Sequence, residues 1–290
     1  MICYWLTLNV KRATPNPQLT LHISCGDYLN MRTKIHIPIT ILLITPLLLI
    51  LYLLPELFSS ELTSQEILDK IDRMWRGESS IGTYQMKIKT SHWERNLRIK
   101  SWTKGLDYTL IRIEYPKKEK GVSTLKVENN LWNYLPKINR VVKVPSSLMM
   151  GSWMGSHFTN DDLVKESTLA DDYHHSITFR GVREGQEVYE ITLLPKEEAA
   201  VVWGKVIILA RKNDLMPLHE IFYDENDKPV REMKLTDVKM MGGRLLPTTM
   251  TIVPYDKPGE FTEVTYVEIS FDMELSDTFF SLRNLKRQEG

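Results

Sequence analysis

NLWNYLPKINRVVKVP, Asn130–Pro145, running into SSLMMGSWMGSHFTNDDL, Ser146–Leu163, is the stretch on which the reading of this chain turns. It opens as two short strands that set aromatics beside aliphatics. It continues as a segment rich in Met and Trp, with more Gly and Ser than a core helix tolerates. Soft, wide apolar side chains on such a segment suit an apolar ligand of variable shape. The candidate contacts are Trp132, Tyr134, Met149, Met150, Trp153, Met154 and Phe158. Ordinary core is the competing reading, and for Trp132 and Tyr134 the two weigh equally. For the Met–Trp segment, Gly151, Ser152 and Gly155 favour a cavity wall or lid.

Around this stretch the hydrophobic period is two. Tyr84, Met86 and Ile88 alternate with Gln85, Lys87 and Lys89, and Thr109, Ile111, Ile113 and Tyr115 continue the pattern. Such alternation marks antiparallel strands with one wet face. Further strands are expected at residues 176–180, 187–194, 205–211, 218–223, 230–235, 245–253 and 261–271, with turns at residues 224–229 and at Gly242-Gly243. The pattern predicts a mainly β (α+β) fold: one strongly curved antiparallel sheet of about eleven strands, an open, unclosed β-barrel covered by helices. One covering helix is expected over Thr63–Gly77. Thr63 and Glu66 have capping-box spacing, Gly77 ends it, and Ile67, Ile71, Met74 and Trp75 share a face. Ile71 and Trp75 join the ligand-contact set. A short helix over Asn160–Ser167, capped by Asn160, and a helical turn over Ser276–Leu285 complete the elements.

The chain has 290 residues and balances 37 basic against 37 acidic side chains, so no electrostatic footprint for nucleic acid exists. Both cysteines, Cys3 and Cys25, precede residue 31, which leaves the rest without a disulfide framework or cysteine metal site. Ile35–Leu54 is an apolar run preceded by Arg32 and Lys34, the layout of an export signal. Its length also suits a retained anchor. Either form places the following domain across the inner membrane, because the positive charges stay inside. Residues 1–30 are expected to be an extension upstream of a start at Met31, residues 31–60 a signal peptide or anchor, and residues 61–290 a single domain.

Other candidates have plainer explanations. Asp171, Asp172, His174 and His175 are metal-ligand types, but adjacent strand residues point to opposite faces and cannot share one ion. His157 lies near Ser156 and Asp161, yet no nucleophile-elbow glycine pattern surrounds any serine. The expectation is neither metal, cofactor nor catalysis. Lys87, Lys89, Arg95, Arg98, Lys100 and Lys104 form either a basic patch or the solvated face of two paired strands, with the second favoured.

The run Asn130–Leu163, together with the opening helix SQEILDKIDRMWRGESS, residues 220–252 (EIFYDENDKPVREMKLTDVKMMGGRLLPTTMTI) and the ending DTFFSLRNL, resembles outer-membrane lipoprotein-sorting proteins of the LolA-like superfamily, in a divergent branch. The resemblance implies an unclosed β-barrel with a helical lid whose hydrophobic cavity holds the acyl chains of lipoproteins or lipids. It implies a periplasmic monomer that takes cargo from an inner-membrane exporter and passes it to an outer-membrane acceptor. A membrane-tethered accessory of a lipid exporter, binding a protein partner, is the alternative.

Overall fold

The structure is a computed structural model that describes residues 7–10, 18–22, 36–38, 61–165, 169–183, 185–199 and 201–287. The chain divides into two compact units, Met1–Glu61 and Leu62–Gly290. In the first, strands β1 (Thr7–Val10), β2 (Gln18–His22) and β3 (His36–Pro38) form a three-stranded antiparallel sheet. Apart from His36–Pro38, the expected signal or anchor over residues 35–54 lies outside the described residues. Among the described residues, no helix is long and apolar enough to cross a membrane.

The second unit begins with helix α1 (Ser64–Arg76). Its start is the expected capping box. The Thr63 hydroxyl accepts from the Glu66 N–H, and the Glu66 carboxylate accepts from the Thr63 N–H at 2.8 Å. Gly77, at φ 59° and ψ −154°, a conformation that glycine alone adopts freely, ends it. Ile67, Leu68 and Ile71 are buried, so Leu68 joins the expected apolar face. Strands follow as β4 (Ser79–Lys89), β5 (Glu94–Lys104), β6 (Tyr108–Tyr115), β7 (Ser123–Val127), β8 (Asn130–Leu135) and β9 (Arg140–Lys143). Two short helices, α2 (Asn160–Lys165) and α3 (Leu169–Asp172), precede β10 (Tyr173–Arg183). Then come β11 (Gln186–Pro195), β12 (Lys205–Arg211), β13 (Pro217–Tyr223), β14 (Pro229–Met241), β15 (Arg244–Pro254) and β16 (Phe261–Phe271), and a closing turn, α4 (Leu282–Leu285).

These thirteen strands form one sheet in the order β10-β11-β12-β13-β14-β15-β16-β4-β5-β6-β7-β8-β9. The sheet is curved and unclosed, with β10 and β9 at its edges. The count is two more than the expected eleven, although β8 and β9 are the two short strands expected within Asn130–Pro145. All neighbours but one are consecutive hairpins. The exception is β16 against β4, which joins the two ends of the domain over Phe261↔Lys89 to Phe271↔Ser80. The β14–β15 hairpin closes through Gly242 and Gly243 at φ 54° and 79°, the two positive angles that a tight two-residue hairpin needs.

One face of the sheet carries two apolar clusters. Ile67, Leu68 and Ile71 of α1 pack on Ile191, Val206, Ile208, Met233, Leu235 and Ile252. Beside them lie Met86, Ile88, Leu97, Ile99, Ile113 and Val264. Phe158 and Met250 touch both clusters and weld them into one inner face. The outer face of β5–β8 is covered instead by the C-terminal segment. There Phe279, Phe280 and Leu285 pack on Trp102, Leu110, Leu125 and Tyr134. That second cover explains why four of the five β7 residues are buried.

A two-ended cavity beneath the β9–β10 crossover

Strands β9 and β10 are consecutive in the chain yet stand at opposite edges of the sheet. The connection between them, described over residues 144–165 and 169–172, must therefore cross the inner face, and this crossover contains the Met- and Trp-rich segment. Strands along its route hold it in turn. The Trp153 indole N–H donates to Thr124 Oγ1 on β7 at 3.1 Å. Arg95 on β5 donates to the Met154 carbonyl at 2.6 Å. The His157 ring bonds Thr262 Oγ1 on β16 at 2.8 Å and the Glu260 carboxylate at 3.2 Å. Arg231 on β14 grips Asp162 with two bonds of 2.6 and 2.7 Å and also donates to the His157 carbonyl.

The crossover is also bonded to itself. Met154 and Gly155, at φ 54° and 74°, reverse the chain, so that the Trp153 N–H reaches the Phe158 carbonyl at 2.7 Å. Gly155 thus makes a tight reversal here. Helix α2 is capped by Thr159 rather than Asn160. The Thr159 N–H donates to Asp162 and the Asp162 N–H to the Thr159 hydroxyl, while the Asn160 side-chain amide turns away to the Leu148 carbonyl.

Beneath this roof lies a cavity of about 180 Å³. Its lining changes character along the strands. At one end Met86, Ile99, Ile111, Met250 and Val264 of the sheet face Trp153, Phe158 and Leu163 of the crossover. At the other end stand Ser80, Ser101, Thr103 and Thr109, with Tyr84, Tyr266 and Asp72 of α1. The register sets this gradient. Side chains two apart share a face, and on β5 the inward series reads Leu97, Ile99, Ser101, Thr103. Cross-strand partners extend it, Thr103 opposite Ser80 and Thr109, Ser101 opposite Gly82 and Ile111. Gly82 leaves room for the Tyr84 ring, whose hydroxyl would lie 2.6 Å from a Cβ there.

Most of the hydroxyls satisfy one another. Ser80 and Thr103 share a bond of 2.7 Å, and Ser101 donates to the Tyr84 oxygen at 2.9 Å. Thr109 is 9% exposed and its hydroxyl has no hydrogen-bond partner among the described residues. Asp72 is the charged member of the lining, and no Lys, Arg or His belongs to it among the described residues.

Of the residues expected to meet a ligand, Trp153 and Phe158 line this cavity. Met154 packs against the same cluster. Trp132 and Tyr134 face the other side of the sheet, in the cluster with Phe279 and Phe280. Met149 rests on Leu131 and Val144, and Met150 is exposed. Ile71 is buried with the β10–β15 cluster, and the Trp75 side chain lies outside the described residues. The hydroxyl-bearing residues were not singled out in the sequence. The available signal was an inward strand face that turns from aliphatic to Ser and Thr without turning outward.

Two smaller constellations are fastenings. Arg231 is buried between the Trp203 and Phe222 rings, 4.5 and 4.3 Å from their centroids. It sits over a space of only about 40 Å³, room for a water molecule. Burial, followed by the nearby Asp161, pushes the Tyr173 phenol above its ordinary range. Glu260, His157 and Thr262 stand in the order acid, imidazole, hydroxyl. Thr262 is fully buried, however, and its oxygen already accepts the His157 backbone N–H. His174 and His175 point to opposite faces, and His175 ties β10 to Ser64 and Gln65 of α1. Lys87, Arg98 and Lys104 are ion-paired with Glu94, Glu114 and Asp277. A wider groove of about 500 Å³ lies on the outer face of β10–β13, but Arg183 and Glu190 pair across its wall.

The profile of a family described as "Uncharacterized protein" matches residues 105–287. The chain belongs to that family. Comparison with curated proteins returns no match. Solved structures are similar over about three quarters of the chain. A DUF1329 family protein from Desulfovibrio piger aligns with TM-score 0.70 and 21% identity, covering 76% of this chain and 97% of that one. A LolA superfamily protein from Nitrosomonas europaea aligns with TM-score 0.66 and 19% identity, over 77% of this chain and all of that one. A structure described as an outer membrane lipoprotein-sorting protein domain, from Vibrio parahaemolyticus, gives TM-score 0.67 and 24% identity, over 77% and 98%. The fold is LolA-like.

Proposed function

We propose that the protein is a periplasmic carrier that holds a lipid acyl chain, free or attached to a protein, beneath the β9–β10 crossover. The observation that carries this reading is the cavity itself, walled by apolar side chains of five strands and roofed by Trp153, Phe158 and Leu163. The shared LolA-like fold supports it. Burying acyl methylenes supplies the affinity at ~0.8 kcal/mol each, so about eight methylenes contribute ~6 kcal/mol. No covalent step is needed.

At about 180 Å³ the cavity is smaller than the about 300–1,000 Å³ of common small-molecule pockets. A full chain therefore enters only when the roof withdraws. The β8–β9 hairpin and the crossover that follows it are suited to meeting a membrane as it does so. Between Glu128 and Asp161 the chain has no acidic residue but carries Lys137, Arg140 and Lys143, beside exposed Ile138, Leu148 and Met150. That combination fits the surface of an anionic bilayer, where cargo is loaded or delivered.

Native mass spectrometry of the protein, as purified and after delipidation with lipid added back, tests the carrier. An adduct of acyl-chain mass is expected in at least one state. Absence of any acyl ligand in both would overturn the reading. The apolar run Ile35–Leu54 supports a second reading, a membrane-tethered accessory of a lipid exporter that binds a protein partner. Cell fractionation separates the two: a soluble mature form fits the shuttle, a full-length form held in the inner membrane fits the accessory.

A further inference from the structure

We infer that the hydroxyl-lined end of the cavity is a headgroup site that selects an amphiphile with an uncharged, hydrogen-bonding head, a hydroxyl, ester or amide, over an anionic one. This rests on the carrier reading and specifies its ligand. The polar end is deep, since Ser80, Ser101 and Thr109 are all buried. It is also contiguous with the apolar end, because the inward series on β5 passes from Ile99 directly to Ser101 and Thr103. A cavity with both ends present fits a molecule with both ends.

Thr109 points to the missing partner. A buried hydroxyl without a hydrogen bond costs about 1–3 kcal/mol, so the protein maintains it at the expense of stability. Its neighbours do not fill the gap: Ser80 and Thr103 bond each other, and Ser101 bonds Tyr84. A ligand oxygen or N–H at this end would satisfy it.

Charge sets the class. Among the described residues of the lining a carboxylate or phosphate would find no cation, only the Asp72 carboxylate. Lys126 stands opposite Thr109 in the register, but its ammonium is turned to the Leu106 carbonyl. An amine head is not required either, because Asp72 is already engaged within the protein. Hydroxyl groups both donate and accept, which matches an uncharged ester or alcohol.

The test compares monomyristoylglycerol with myristate at pH 8 on the full-length, delipidated protein, by displacement of an apolar fluorescent probe. The monoglyceride is expected to bind about tenfold tighter, the discrimination of one buried polar contact. Thr109→Val, which keeps shape but removes the hydroxyl, is expected to reduce the preference to under about threefold while raising the urea midpoint. Thr109→Ser, which keeps the hydroxyl, is expected to retain the preference and guards against a valine variant that fails to fold. Equal binding of both lipids, or a preference unmoved in Thr109→Val, overturns the headgroup site and leaves the carrier intact. Failure of probe and both lipids to bind overturns both.

Discussion

Arg231 shows most plainly what one residue does here. The residue is 4% exposed, and its guanidinium is stacked between two aromatic rings and joined to Asp162 by a two-pronged ion pair. A charge so buried is tolerable only while its partner is in place. Arg231→Ala strands the Asp162 carboxylate and loosens the crossover at its α2 end, and is expected to cost about 3–5 kcal/mol. Urea unfolding measures it. Arg231→Lys should recover little, because an ammonium cannot reproduce the planar fork or the stacking. Wild-type stability in the lysine variant would refute this role. The sequence did not announce the pair. Asp162 reads as a helix first-turn acid, and Arg231 lies 69 residues away.

At the scale of the element, the crossover depends on the β16 fastening. The Ser91 N–H, and after it His157, hold the Glu260 carboxyl down at about 2, against an ordinary 4.5. Because the folded value lies below the unfolded one, the stabilisation is complete above about pH 4.5 and disappears as pH falls toward 2. Glu260→Gln should therefore lose less stability between pH 5 and pH 2.5, at roughly those limits, than the natural chain. Chemical denaturation across that range checks it, and parallel curves would remove Glu260 from the account. Local elements were largely legible. The capping box at Thr63, the Gly242-Gly243 hairpin and the limits of β12 and β16 appear as read, because each is governed by neighbouring residues. The cap of α2 shifted from Asn160 to Thr159, because the Asn160 side chain is drawn to Leu148, a contact formed only when the crossover folds back on itself.

At the scale of the molecule, the roof is fastened at separate points to β5, β7, β14 and β16, whereas the sheet is held by continuous ladders. Opening should therefore be confined to the roof. Hydrogen exchange with and without bound lipid is expected to change protection in residues 146–163 and leave β11–β13 as they are. Uniform change across the sheet would mean that ligand entry unfolds the domain instead.

Alternation of period two, the caps and the turns determined that this chain forms a meander of antiparallel strands with one amphipathic helix, since those signals act over a few residues. The sequence also marked residues 130–163 as unusual. Only the tertiary structure decided which of its aromatics face the cavity. Trp132 and Tyr134 have the same alternation as inward residues, but the C-terminal segment covers the outer face and makes a second apolar environment for them. Likewise, Ser80, Ser101, Thr103 and Thr109 come from three strands, and their meeting depends on register. The β16–β4 pairing then closes that wall from the other end of the domain. Period two says that a residue alternates; only long-range pairing says what lies on the other side.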